Sequence, residues 1–189
     1  MASPKRFCTV LLILLMSSVA VTLGSGSVKN VMVASLDGLR EVPAVITEGH
    51  GEIKISIDRS IPSMEYTLTY SDLEGEVTQV HIHIGQRGAN GGVAAFLCSN
   101  LGTAPAGTPE CPPSPGTLIG TIAAEDVIAG AAGQGVGEGE LDDLMRAIAK
   151  GAAYVNVHTD RFEGGEIRGQ FGGRIRPNFT APVRLSPRR

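Results

Sequence analysis

Along most of the chain, hydrophobic residues fall at every second position, as expected of strands with one buried and one wet face. Ile53, Ile55 and Ile57 alternate with Glu52, Lys54, Ser56 and Asp58. Met64, Tyr66, Leu68 and Tyr70 alternate with Glu65, Thr67 and Thr69, and Val80, Ile82 and Ile84 with Gln79, His81 and His83. Ala153, Val155 and Val157 alternate with Tyr154, Asn156 and His158. Val93 to Leu97 is a continuous apolar run suited to a strand buried on both faces, and Val31 to Leu36 and Thr117 to Ala123 complete the candidates before the last hairpin. Gly164-Gly165 then turns the chain into Glu166-Ile167-Arg168-Gly169-Gln170-Phe171, a hairpin pattern.

One segment changes period. Leu141, Leu144, Met145 and Ile148 recur at i, i+3, i+4, i+7, with acids first and Arg146 and Lys150 last, an order that suits the helix dipole. Gly151 is placed to end that helix, and Gly130 to Gly139 reads as a flexible approach to it. About eight short strands with one crossover helix predict a mostly β fold, an antiparallel two-sheet β-sandwich.

Composition adds that the core is aliphatic. There is no Trp, aromatics are 4% of the 189 residues, and Gly 25 and Pro 11 suit many turns. The first 26 residues stand apart. Lys5 and Arg6 precede the apolar run Phe7 to Met16, and small residues follow at Ser18 and Ala20, the three parts of a secretory signal peptide. Cleavage after Ala20 or near Gly24 would leave a domain over residues 27–173, with an uncleaved N-terminal anchor as the alternative. No later segment is apolar over a length that spans a bilayer. The expected setting is therefore secreted or otherwise extracytoplasmic.

In such a compartment Cys98 and Cys111 are expected to form a disulfide around a loop rich in Pro and Gly. The net charge is −3, yet residues 174–189 carry Arg174, Arg176, Arg184, Arg188 and Arg189 and no acid. This reads as an acidic domain with a basic, disordered tail. The domain has no basic nucleic-acid footprint, and an extracellular protein or an envelope polymer is the expected partner.

His81 and His83 are two residues apart on one strand and so point to the same face. His158 lies on the face shared by Tyr154 and Asn156 of a later strand. Three converging imidazoles suit copper or zinc and leave coordination positions open. If they do not converge, the same rings would hydrogen-bond to carbonyls or to Glu166. His50, between Gly49 and Gly51, reads as a surface loop residue.

Several of these segments occur in a recognisable order. Val80-His81-Ile82-His83, Gly91 to Leu97, Ala153-Tyr154-Val155-Asn156-Val157-His158-Thr159 and Gly164-Gly165-Glu166-Ile167-Arg168-Gly169-Gln170 together resemble the CHRD family. That domain was first defined in chordin and is also found in bacterial secreted proteins. The early Leu36-Asp37-Gly38-Leu39-Arg40-Glu41-Val42-Pro43 resembles the family's opening segment. The resemblance implies an immunoglobulin-like or superoxide-dismutase-like β-sandwich in an extracellular setting, without an established catalytic activity. It also implies a role for His81, His83 and His158, which fall on motif positions.

Around those histidines, Glu166 and Asn156 are candidate supporting groups. Glu166 would fix a histidine tautomer, or else pair with Arg168 across the sheet; Asn156 would orient His158. The leading functional expectation is a binding or cell-envelope module, with a small copper or zinc metalloenzyme acting on an oxygen species as the alternative. A serine hydrolase is disfavoured because the chain has no Gly-x-Ser-x-Gly elbow. No catalytic residue is assigned.

Overall fold

The computed structural model describes residues 30–58 and 60–172. The expected signal peptide and basic tail lie outside these residues. The alternating segments form eight strands: β1 (Asn30–Asp37), β2 (His50–Ile57), β3 (Ser63–Ser71), β4 (Val77–Ile84), β5 (Val93–Ser99), β6 (Gly116–Ala123), β7 (Ala153–Thr159) and β8 (Ile167–Gln170). Every pairing is antiparallel, and the strand order is β5-β4-β7-β8-β1-β2-β3-β6.

The mostly β, antiparallel expectation therefore holds, but the strands are not divided into two sheets. They form one nearly closed, barrel-like sheet. Two four-stranded halves meet where the end of β1 reaches β8, through the single register pair Asp37 and Arg168. At the opposite side the terminal strands β5 and β6 are not paired. Tyr66 on β3 bridges that gap by donating its hydroxyl to the Leu97 carbonyl of β5 at 3.1 Å. The Cys98–Cys111 disulfide, as expected from the sequence, ties the end of β5 to the loop that leads into β6.

The inward positions of the alternation make the core. Met32, Ile53, Ile55, Met64, Leu68, Ile82, Leu97 and Ile122 are almost wholly buried, in line with their spacing in the sequence. Helix α1 (Leu141–Ala149) adds Leu141, Leu144, Met145 and Ile148 to the same core. It belongs to the crossover from the edge strand β6 to β7. Asp142 and Asp143 lie in its first turn and Arg146 in its last, which suits the helix dipole. Gly151 follows at φ 72°, a left-handed position that glycine takes without strain.

The glycine-rich approach to α1 differs from the expected flexible segment. Ala129–Gln134 winds into a 3-10 helix. Gln134 pins it by accepting from the Gly92 amide at 2.6 Å and donating to the Ile84 carbonyl at 2.8 Å. Small residues here permit close packing rather than motion, because a Cβ on Gly92 would overlap the Gly130 carbonyl. No helix among the described residues is long and apolar enough to cross a membrane.

Candidate metal centre

The outward face of β4, β7 and β8 departs from simple alternation. Positions that should be wet are covered: His81 is 5% exposed and His83 8%, and Asn156, Arg168 and Gln170 are also buried. Two connections lie over this face. The first follows β1 and carries the buried Glu41; the second is the Gly85–Gly92 loop between β4 and β5. Asn90 ties the two together by donating to the Val42 carbonyl at 2.9 Å. A polar sheet face has thus become a second, polar interior, where charge is costly and each group needs a partner.

Strand register brings the three histidines together. His81 pairs with Asn156, His83 with Tyr154, and Gln79 with His158. His158 is thus one diagonal step from His81, a separation that rings bridge easily. The candidate ligand atoms of His81, His83 and His158 all lie within 4.8 Å of one another. His81 Nδ1 and His158 Nε2 are 3.1 Å apart. With bonds of about 2.0–2.1 Å, two nitrogens around a tetrahedral ion stand about 3.0–3.4 Å apart, and no two exceed about 4.2 Å. The His81–His158 pair already has that spacing. The set as a whole spans up to 4.8 Å, beyond that limit, so a shared ion requires the rings to draw together.

Hydrogen bonds fix how two of the rings present themselves. His83 Nδ1 lies 2.9 Å from the Gly91 carbonyl, and His158 Nδ1 lies 2.8 Å from the Glu163 carbonyl. Carbonyls only accept, so each Nδ1 carries a hydrogen and each neutral ring leaves its lone pair on Nε2. His83 Nε2 and His81 Nε2 are buried and have no hydrogen-bond partner. Gly91 is held in turn, since its amide donates to the Tyr154 hydroxyl at 3.2 Å. The Tyr154 ring lies parallel to that of His83, with centroids 4.7 Å apart.

The electrostatics favour neutral rings. Burial holds the pKa of His81 down at about 3, with further lowering by His158 and His83. Burial likewise holds His83 down at about 4, partly offset by its bond to Gly91. His158 is lowered for the same first reason, against the Glu163 carbonyl. At neutral pH the cluster therefore offers lone pairs rather than cations. That chemistry suits a borderline transition metal such as copper or zinc.

The sequence-derived supporting residues divide. Asn156 is at the site, with Oδ1 3.1 Å from His158 Nε2. Glu166 is not. Its carboxylate accepts from Thr47 Oγ1 at 2.7 Å, the Glu74 amide at 2.7 Å and Thr159 Oγ1 at 2.9 Å. It thus ties three segments together away from the imidazoles, and the expected tautomer-fixing contact is replaced by this network. The expected cross-strand pairing of Glu166 with Arg168 is absent too. Arg168 donates to Asn90 Oδ1 and the Ala89 carbonyl, at 3.0 and 2.7 Å, and lies over the Tyr154 ring at 3.3 Å from its centroid. His50 is exposed as expected, but it opens β2 rather than lying in a loop.

Reading the sequence missed Glu41. It follows the 3-10 turn Gly38–Arg40 and is 5% exposed. Burial raises its pKa to about 7, against the lowering effects of Arg168, the Val42 amide and the Asn156 side chain. The only hint in the sequence is its place within the Leu36–Pro43 segment, where nothing in the periodicity separates it from other loop acids.

No curated protein and no solved structure gives a significant match to the chain. The model of the CHRD domain, however, matches residues 32–171, from the third residue of β1 to just past β8, and that span includes His81, His83 and His158, the two disulfide cysteines and Glu41. The chain belongs to the CHRD-domain family.

Proposed function

We propose that this protein is an exported binding module that holds one transition-metal ion, copper or zinc, through His81, His83 and His158. The observation that carries the reading is the convergence of three imidazoles within 4.8 Å on a buried face. One of their buried nitrogens, His83 Nε2, has no other partner. A buried polar atom without a partner costs free energy, so a cation at this position would satisfy a group the fold otherwise leaves bare. The carbonyls of Gly91 and Glu163 act as outer supports that set the tautomers of His83 and His158.

Export is supported by the basic and apolar residues of the first 26 positions and by the Cys98–Cys111 disulfide. The five arginines after Gly173 suggest a partner of negative charge, an acidic extracellular protein or an envelope polymer. With three protein ligands, coordination positions remain for a partner side chain or for a small oxygen species. Turnover of the latter is the alternative to simple binding.

Protein purified without a histidine tag and titrated with Cu²⁺ or Zn²⁺ tests the reading. About one equivalent should bind, and binding should vanish in His83→Ala and His158→Ala. A wild-type protein that binds neither ion would overturn it. Assaying the copper-loaded protein for superoxide consumption separates binding from turnover.

A further inference from the structure

We propose that Arg168 is a positioning residue for His83, acting through the Tyr154 ring and through the Gly85–Gly92 loop. The inference rests on the metal-binding reading above and adds to it a group on β8, a strand that carries no ligand.

Arg168 is 1% exposed, although a guanidinium removed from water is costly unless its hydrogens are engaged. Its bonds go to neutral oxygens, all of them on one loop. It donates to Asn90 Oδ1 at 3.0 Å, to the Ala89 carbonyl at 2.7 Å and to the Gln86 carbonyl at 3.4 Å. Gln170, two positions on and so on the same face of β8, donates to the Gly85 carbonyl at 2.8 Å. Two side chains of β8 thus hold the loop that carries Gly91, and the Gly91 carbonyl fixes the tautomer of His83.

The second route is a stack of three planar groups. Tyr154 on β7 is register partner to His83 on β4, and it lies one diagonal step from Arg168 on β8, whose own partner is Asn156. The Tyr154 and His83 rings are 4° from parallel with centroids 4.7 Å apart, and Arg168 Cζ stands 3.3 Å from the Tyr154 centroid. At these distances the imidazole and the guanidinium would collide on one face of the phenol, so they take opposite faces. A cation over an aromatic ring is favourable, and more so out of water. Tilting the phenol would cost its contact with Arg168, and turning the imidazole would cost its contact with the phenol.

An imidazole without such neighbours turns easily about its second side-chain torsion, whose energy well is broad. The stack removes that freedom. Tyr154 also joins the two routes, because its hydroxyl accepts from the Gly91 amide at 3.2 Å. Together they fix the plane of the His83 ring and the nitrogen that bears its hydrogen, so the Nε2 lone pair keeps one direction.

A purely structural role is the alternative, since Arg168 also pairs with Asp37 at the single join between β1 and β8. The two roles differ at the histidines. His158 takes its tautomer from the Glu163 carbonyl, outside the stack. Loss of the positioning contacts should disturb His83 and spare His158, whereas a general loosening of the sheet should disturb both.

The test uses the mature protein and the variants Arg168→Lys, Tyr154→Phe and Asn90→Ala. Zn²⁺ affinity is measured by competition with a chromophoric chelator, and ¹⁵N-resolved NMR of the metal-free proteins reads the ring nitrogens of His83 and His158. Arg168→Lys keeps the charge but loses the planar fork, so it reads geometry rather than electrostatics. Loss of an outer support typically weakens metal binding about 10–100-fold, and that loss is expected for Arg168→Lys. Its His83 nitrogen shifts should move towards the average of the two tautomers while those of His158 stay in place. Tyr154→Phe keeps the stack and loses the bond to Gly91, and Asn90→Ala removes one anchor of the guanidinium from an exposed position. Both should move the His83 nitrogens in the same direction by less.

Unchanged affinity with unchanged His83 nitrogens in folded Arg168→Lys would overturn the proposal. Equal movement of the His83 and His158 nitrogens would also overturn it, because Arg168 would then only hold the sheet together. If Arg168→Lys does not fold, unchanged His83 nitrogens in both Tyr154→Phe and Asn90→Ala overturn it instead. If the wild type binds no metal, the metal reading fails, but the ring nitrogens of the metal-free variants still decide whether Arg168 positions His83.

Discussion

His81 and His158 face each other nitrogen to nitrogen at 3.1 Å, although they are not register partners. The contact exists because His158 pairs with Gln79, two positions before His81 on β4. A shift of one residue in the β4–β7 register would turn His158 to the opposite face of the sheet and dissolve the site. The three-histidine cluster therefore depends on the β4–β7 ladder as much as on the histidines themselves.

Metal loading should follow this geometry. Cu²⁺ or Zn²⁺ is expected to raise the melting temperature of the wild type, since a ligand that binds only the native state adds RT ln(1 + [L]/Kd). His83→Ala should lose that shift. His50→Ala should keep it, because His50 is exposed on β2 and lies outside the cluster. Differential scanning fluorimetry with and without metal checks this. Equal shifts in wild type and His83→Ala would place the ion elsewhere.

Acid should destabilise the metal-free protein from the histidine range downwards. His81 and His83 have folded-state pKa values near 3 and 4, below their ordinary 6.5. The unfolded chain thus binds more protons across that interval. Their contribution is complete above about pH 6.5 and is lost as pH falls towards 3–4, at up to about 1.4 kcal/mol per pH unit per ring. Glu41 works in the opposite sense. Its folded pKa is raised from 4.5 to about 7, so its contribution is full below 4.5 and is lost as pH rises through 7. Removing that opposing term in Glu41→Gln should steepen the loss of stability between pH 7 and 4.5. Urea unfolding across the range measures both slopes, and a flat profile in the wild type would contradict the neutral-ring assignment.

The disulfide makes a separate prediction. Cys98 on β5 and Cys111 in the following loop are joined across 13 residues of sequence. Closing a loop of that size is worth roughly 3 kcal/mol in the chain-entropy model. Reduction, or Cys98→Ala with Cys111→Ala, should lower stability by about that amount and leave metal stoichiometry unchanged, because Cys98 pairs with the core residue Val80, whose side chain lies on the opposite face of β4 from His81 and His83. Intact mass should rise by two hydrogen atoms on reduction.

Much of this was legible in the sequence, for a physical reason. Strand faces follow a period of two, so Ile53, Ile55, Ile57 and their counterparts predict both the strands and their inward sides. The same rule places His81 and His83 on one face. Periodicity could not show that β1 closes onto β8, because a single pair, Asp37 and Arg168, makes that join. It also could not show that loops cover the polar face of β4 and β7. The burial of Glu41 comes from that long-range covering and leaves no mark on the periodicity, and the chain turns the Glu166 carboxylate towards Thr47 and Thr159 rather than towards the histidines.

Glu166 gives the sharpest contrast with Glu41. Both are buried carboxylates, but only Glu166 has its oxygens fully engaged, with Thr47, Glu74 and Thr159 as donors from three separate segments. Thr47 Oγ1 also accepts from the Gly49 amide at 3.0 Å, so the network shapes the connection that leads into β2. Glu166→Ala would strand the buried Thr159 hydroxyl and leave the part-buried Thr47 hydroxyl and Glu74 amide without their acceptor. A stranded buried group costs about 1–3 kcal/mol, so stability should fall by at least about that amount. Glu166→Gln would keep an acceptor for part of the set and should cost less. Neither change removes a contact to His81, His83, His158 or Asn156. Where the variants fold, Zn²⁺ affinity should therefore stay near wild type, in contrast to His83→Ala. Parallel unfolding and chelator-competition measurements separate the two effects. A large loss of affinity in folded Glu166→Gln would mean that its carboxylate supports the histidines after all.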